Sequence, residues 1–298
     1  MSAIRKPTPI DMILLLTAAA IWASVFVAIK YAVPETGPLW LAAIRVTIGA
    51  AILAPYAIWR GVVLPRELMV WVLIVAMTLF NIVIPFFLIS WAEQTLAAGV
   101  TSILMGTGPF AALIGSHFLT HDDKITGPKL VAVLLGFSGI VLVVGLDALG
   151  GVAHGNLKAQ AAALCGSLSY VVAGLLIRRI DVPPVRLSFI ALTIGAIILV
   201  AAALAIDGPL TAMPSRSASI ALLLMGIFPT GIAYILRFHL IRTVGYSTFA
   251  YSINLIPVFG VFLGVILLGE PLHPQVLIAL ALIVTGLFVA RIEPKNRD

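Results

Sequence analysis

The feature that most constrains this chain is its succession of long, uncharged apolar runs. From residue 11 onward, stretches of about 20 mostly apolar residues follow one another, and most charged side chains fall between them. A helix of that length rises about 30 Å, the thickness of the hydrocarbon core of a bilayer. A soluble fold of 298 residues has no interior able to bury so many of these runs at once. Composition agrees: 61% of residues are hydrophobic and 10% charged, against about 45–50% and about 25% in soluble domains. Mean hydropathy is +1.16. The bilayer is the solvent that accepts such a surface.

The runs predict an all-α integral membrane protein with ten transmembrane helices, at 11–32, 38–59, 68–90, 96–117, 127–146, 157–177, 185–206, 217–240, 246–268 and 274–291. Helix-stopping residues punctuate them, among them Pro34 and Pro38, Pro65, Gly127-Pro128, Pro183-Pro184, and Pro271 with Pro274. Arg5 and Lys6 precede the first run, as in a signal peptide, but the run continues through Trp22, Phe26 and Ile29, too long for a cleaved leader. It reads as a retained helix. No connection is long enough to hold a soluble domain.

Lysine and arginine placement sets the orientation. With the N-terminus cytoplasmic, 13 of these residues lie on the cytoplasmic side, 2 (Lys158 and Arg216) on the other, and Lys30, Arg45 and Arg237 inside helices or at their ends. Both termini are therefore expected in the cytoplasm, with the chain crossing a cytoplasmic (inner) membrane many times. The net charge of +6 is spread singly and in pairs with no basic stripe, so the bilayer, not nucleic acid, is the expected partner. Oligomeric state is left open. The single cysteine, Cys165, has no disulfide partner in the chain and reads as a small packing residue.

The sequence repeats itself. Residues 38–53 (PLWLAAIRVTIGAAIL) and 184–199 (PVRLSFIALTIGAIIL) are identical at nine of sixteen positions. At similar offsets Phe26 meets Tyr170, Pro109 meets Pro257, and Asp122 meets Glu270. The expected halves are 1–150 and 151–298, five helices each. An odd number of crossings places the second copy upside down relative to the first. Two inverted repeats that rock about a shared central site are the architecture of many secondary transporters.

Ten helices in two halves, each with a proline near the middle of its fourth helix and an acidic residue at that helix's end, resemble the EamA-type drug/metabolite transporter superfamily. Trp22-Ala23-Ser24-Val25-Phe26, Arg45, Pro257-Val258-Phe259 and Leu268-Gly269-Glu270-Pro271-Leu272 carry the likeness. The first half departs from the pattern at Thr120-His121-Asp122-Asp123, where a Gly-Glu is usual. The resemblance implies a carrier of amino acids, other metabolites or drugs, often working outward.

Polar groups at membrane depth are the candidate site residues, because they cost energy unless they face a partner or a wet cavity. Trp22, Phe26 and Lys30 form one helical stripe at i, i+4 and i+8. The aromatics suit a planar or apolar substrate, or simply pack between helices. Lys30 either attracts a carboxylate or snorkels to the outer interface. Arg45 lies about 10 Å into the second helix and either holds a substrate carboxylate or pairs with backbone carbonyls, Glu35 or Glu93. Its repeat mate is Ala191. Asn81 and Asn254 offer amides that suit a zwitterion or join helices. Ser102, Ser169, Tyr170, Tyr234 and Tyr251 complete the expected lining, and Pro109 and Pro257 are expected to break their helices there.

All twelve acidic residues fall at helix ends or in loops, none near the midplane. A proton relay in a membrane carrier commonly uses an intramembrane carboxylate, so uncoupled facilitated transport is expected. An enzyme is not. The facing aspartates of a membrane aspartyl protease are missing, no Gly-x-Ser-Gly motif pairs with a histidine on another helix, and no phosphate-binding loop occurs. No cofactor and no metal are expected. His117 and His121, at i, i+4, read as an interfacial polar pair. A multidrug exporter, and behind it a channel, are the rival readings.

Overall fold

The computed structural model describes residues 6–59, 61, 64–119, 126–149 and 153–290. Every regular element among them is helical. Helix α1 spans Pro9–Trp59 and contains one residue out of helical conformation, Gly37, at φ 71° and ψ 166°. Only glycine occupies that region without strain. The expected loop between the first two helices is thus a single-residue kink, followed by Pro38, whose fixed φ suits a new helix start.

Helices α2 (Leu68–Thr78) and α3 (Ile84–Ala92) are joined by a π turn at Leu79–Val83. Next come α4 (Ala98–Met105), α5 (Gly108–Leu119), α6 (Gly127–Leu149), α7 (Ala153–Ile177) and α8 (Pro184–Ile206). Helices α9 (Arg216–Met225) and α10 (Ala233–Val244) are joined by a second π turn, Gly226–Ile232, and α11 (Tyr246–Asn254), α12 (Ile256–Leu268) and α13 (Pro274–Val289) complete the chain. Both π turns lie by a proline, Pro85 just after the first and Pro229 within the second. Proline has no N–H for the usual helical bond, which a widened turn accommodates.

Five described helices are long and apolar enough to cross a membrane: Pro9–Trp59, Leu68–Ala92, Leu157–Ile177, Pro184–Ile206 and Arg216–Ile241. Gly127–Leu142, Ser252–Leu268 and Pro274–Val289 are apolar but shorter. Phe137, Ile197, Phe262 and Ile266 are more than half exposed on helix surfaces, an outward apolar face that fits lipid and not water. Cys165 is exposed on α7 and does not pack inside. A helix in lipid has no driving force to bury a small apolar side chain.

Helices from the two ends of the chain interleave. α6 packs on α13, α4 on α12, α3 on α7, and α1 on α8, α9, α12 and the second π turn. Glycine permits the closest approaches. A β-carbon on Gly260 would stand 2.3 Å from Ser102 Cβ, and one on Gly226 2.5 Å from Ile48 Cβ.

At one end of the bundle, segments near the kink, after α3, before α9 and after α12 are tied together. Glu35 accepts from the Ser215 N–H and hydroxyl at 2.5 and 2.6 Å, and the Trp40 indole donates to Gly208 O at 2.9 Å. Glu270 accepts from the Ala98 and Gly99 N–H groups at 2.5 and 2.9 Å, capping the start of α4. Anionic caps favour a helix N-terminus, where unpaired N–H groups and the helix dipole meet.

Candidate functional site

α4 and α5 are two pieces of one expected helix, and so are α11 and α12. Each second piece has a proline as its second residue, Pro109 or Pro257, where its missing N–H is harmless. Carbonyls at the first break find other donors. Met105 O, four residues before Pro109, accepts from the Ser167 hydroxyl of α7 at 3.1 Å, and Leu104 O from the Thr107 hydroxyl at 2.6 Å. The breaks meet: a β-carbon on Gly106 would stand 2.6 Å from Pro257 Cγ.

A cavity of about 260 Å³ lies beside this meeting point, with Gly106, Pro109, Asn254 and Pro257 in its wall. The rest of the wall includes Trp22 and Phe26 from α1, Asn81 from the first π turn, Tyr170 from α7 and Tyr234 from α10. Trp22 stands edge-on to Phe249, with ring centroids 5.8 Å apart and planes at 83°, a favourable aromatic geometry that fixes the indole.

Arg45 is the charged centre of this wall. It is 5% exposed, and its guanidinium lies 3.9 Å from the Phe86 ring centroid. Nε and Nη2 both donate to the Thr230 hydroxyl at 3.3 Å. That hydroxyl donates in turn to Met225 O at 2.9 Å, the carbonyl four residues before Pro229. The bond Pro229 cannot make is thus supplied by a side chain, and the same oxygen anchors the arginine. A hydroxyl has one proton and two lone pairs, enough for both roles. Its hydrogen bonds thus go to Thr230 and not to the backbone carbonyls, Glu35 or Glu93 open to it in the sequence; Glu35 is bound to Ser215.

A second cavity of about 300 Å³ shares Asn81, Tyr234 and Arg237 with the first and reaches Ile180, Val182 and Pro184 at the α7–α8 connection. Arg237 stands where the two meet, 5.9 Å from the Phe249 ring centroid, with its buried Nε lacking a hydrogen-bond partner. Sequence reasoning assigned it no role. The available signal was a charge inside the apolar run 217–240.

Other expected residues are placed elsewhere. Lys30 does not line the cavity; its amine donates to the Glu93 carbonyl at 2.8 Å. Ser102 donates to Gly99 O at 2.7 Å at the tight α4–α12 crossing, and Ser169 to Cys165 O at 2.8 Å within its own helix. The side chain of Tyr251 lies outside the described residues, as do those of His117 and His121. Glu93, at the end of α3, is fully buried and neither carboxylate oxygen has a hydrogen-bond partner. Position at a helix end therefore did not mean exposure. Among the described residues no three His, Cys, Asp or Glu side chains gather as a metal site.

Helices from both ends of the chain wall the central cavity. The EamA-like transporter family model matches the chain twice, over 10–145 and 155–292. The chain belongs to this family. Among the described residues, each matched segment contains one π turn and the break ahead of Pro109 or Pro257, the second residue of its helix. The chain is 23% identical over 283 residues to the uncharacterized transporter YoaV of Bacillus subtilis (strain 168), covering 93% of this chain and 95% of that one. It is 27% identical over 268 residues to the uncharacterized inner membrane transporter YedA of Escherichia coli (strain K12), covering 89% and 85%. An uncharacterized transporter of Archaeoglobus fulgidus is 24% identical over 290 residues, covering 93% and 97%. A solved crystal structure superposes with a TM-score of 0.66 at 23% identity, over 94% of this chain and 96% of that one, which establishes the shared fold. Family membership makes this a membrane transporter and the cavity its candidate substrate site.

Proposed function

We propose that this chain exports amino acids, aromatic and other neutral ones, or closely related metabolites across a cytoplasmic membrane by uncoupled facilitated transport. The observation that carries the reading is the cavity itself. It lies where the helix breaks meet, and joins aromatic faces (Trp22, Phe26, Tyr170) and amides (Asn81, Asn254) to a buried arginine. Its volume of about 260 Å³ lies just below the range of drug-sized sites and suits a small metabolite. Direction and aromatic preference rest on resemblance: in size and layout the chain is similar to the aromatic amino acid exporter YddG.

The proposed architecture is ten crossings in two halves, 1–150 and 151–298, inverted relative to each other, with both termini cytoplasmic. In that orientation the tied end of the bundle, with Glu35–Ser215 and Glu270–Ala98, is the outer end. The α7–α8 connection beside the second cavity is cytoplasmic. This is an inward-facing arrangement, and alternating access would release the outer ties and close the inner cavity. A cavity wall with no Asp or Glu among its described residues supports the uncoupled reading.

The test is flux of labelled phenylalanine in proteoliposomes holding only this protein, without ion gradients. Saturable flux that unlabelled aromatic amino acids suppress is expected. Accumulation that requires an imposed proton or sodium gradient would overturn the uncoupled mechanism. Absence of flux from correctly inserted protein would remove the substrate class and leave a drug or other metabolite exporter as the reading.

A further inference from the structure

We infer that the site selects for net negative charge: its preferred ligands are small carboxylates with an aromatic or apolar body, ahead of the matching zwitterionic amino acids. The inference rests on the cavity being the transport site and names the charge class it takes.

Two guanidinium groups border the central cavity, Arg45 and Arg237, and no carboxylate does among its described lining residues. Neither arginine has its charge offset by a hydrogen-bonded acid in the described structure. Arg45 spends two N–H donors on the neutral Thr230 hydroxyl and stacks on a neutral ring. The buried Nε of Arg237 has no partner, and its ring neighbour, Phe249, is also neutral. A guanidinium keeps its proton at any ordinary pH, so burial does not remove the charge.

Charge away from water is stabilised chiefly by opposite charge. An organic anion bound here supplies it, accepting N–H donors from planar guanidinium groups that match a carboxylate. An α-ammonium has no such partner. It would meet aromatic faces and amide oxygens while raising the positive charge of an already cationic wall. Glu93 lies outside the cavity lining, and its carboxylate oxygens hydrogen-bond to neither guanidinium. Tyr170 and Tyr234 add neutral hydroxyls and aromatic surface.

The test uses three probes with one phenyl group and different charge: 3-phenylpropanoate (anion), phenylalanine (zwitterion) and phenethylamine (cation). Binding to the purified full-length protein at neutral pH is measured by calorimetry. The anion is expected to bind at least about tenfold more tightly than the zwitterion, whose added α-ammonium is taken from water without an opposite charge to pair with, and the cation not measurably. R237Q is expected to erase most of that preference and R237K to keep it, which separates charge from folding. Equal or tighter binding of phenylalanine than of the anion, or a preference unchanged in well-folded R237Q, would overturn the inference while leaving the amino acid carrier standing. Failure of both phenylalanine and the anion to bind would remove both readings.

Discussion

In the first half of the chain, α2 passes into α3 through a π turn at Leu79–Val83, and the next rod breaks ahead of Pro109. In the second half, α9 passes into α10 through a π turn at Gly226–Ile232, and the next rod breaks ahead of Pro257. The packing corresponds as well. Gly49 and Gly195 are matched positions of the repeated segment. Gly49 faces Thr230 in the second half's π turn, while Gly195 faces Ile82 in the first half's. Charge does not correspond. Arg45 is matched by Ala191, and at the offset of 148 that pairs Pro109 with Pro257, Arg237 is matched by Ile89. The repeated residues build the cavity and its breaks; unmatched side chains decide what it holds. A binding site needs one orientation of its ligand, which a fully symmetric wall would not impose.

The sharpest way to break this comparison is to move the charge across it. R45A is expected to lower saturable phenylalanine flux by about a hundredfold, since it removes a buried charged donor set that worth of binding energy accompanies. The double variant R45A/A191R is expected to stay equally inactive, because Ile82, which packs on Gly195 as Thr230 packs on Gly49, carries no hydroxyl to orient the guanidinium, and the nearby Thr78 hydroxyl is bonded to Ile74 O. Initial rates, normalised to inserted protein, decide it. Recovery of half the flux or more in the double variant would show that the halves are interchangeable in charge.

A smaller effect sharpens the packing side. A β-carbon at Gly49 would stand 2.6 Å from Thr230 Cγ2 and 3.2 Å from Thr230 backbone carbon, whereas at Gly195 its nearest neighbour is Ile82 Cγ2 at 3.0 Å. The isoleucine tip has room to turn, and a threonine bonded to both Arg45 and Met225 does not. G49A is therefore expected to destabilise by about 1–3 kcal/mol, the usual cost of overpacking, and G195A by less than about 1 kcal/mol. Thermal unfolding midpoints in detergent, compared side by side, should fall further for G49A. The reverse order would mean that the two cross-packings are not governed by these contacts.

These contrasts also mark what the sequence made legible. Pro109 and Pro257 announced their breaks, because a residue without an N–H is a local fact needing no tertiary information. The apolar runs and the Gly-containing repeat were equally local. The π turns were not legible: Pro85 and Pro229 are visible in sequence, but whether a helix kinks, ends or widens depends on its neighbours. Depth along a helix was harder still. Arg45 could be placed by counting from Pro38, yet its partner Thr230 is 185 residues away. Arg237 went without a role, since one charge inside an apolar run does not reveal which wall it faces. Glu93 could be placed at a helix end, but its burial could not be read from the sequence.

Lys30 provides the mildest test and isolates that last problem. Helical periodicity puts it on the stripe of Trp22 and Phe26, which reach the cavity while Lys30 does not. Eight residues of helix carry it about 12 Å from Trp22 along the axis, to the tied end of the bundle, where its amine meets the Glu93 carbonyl. A shared face fixes direction, not depth. K30M keeps the apolar length of the stem and removes the bond, so stability is expected to fall by about 1 kcal/mol, the net worth of one hydrogen bond. The dissociation constant for phenylalanine is expected to move by less than about twofold, as for sites without shared partners. Calorimetry paired with thermal unfolding separates the two. A large loss of affinity with stability intact would return Lys30 to the binding site and extend the cationic wall to the outer end, making the first half the main carrier of charge.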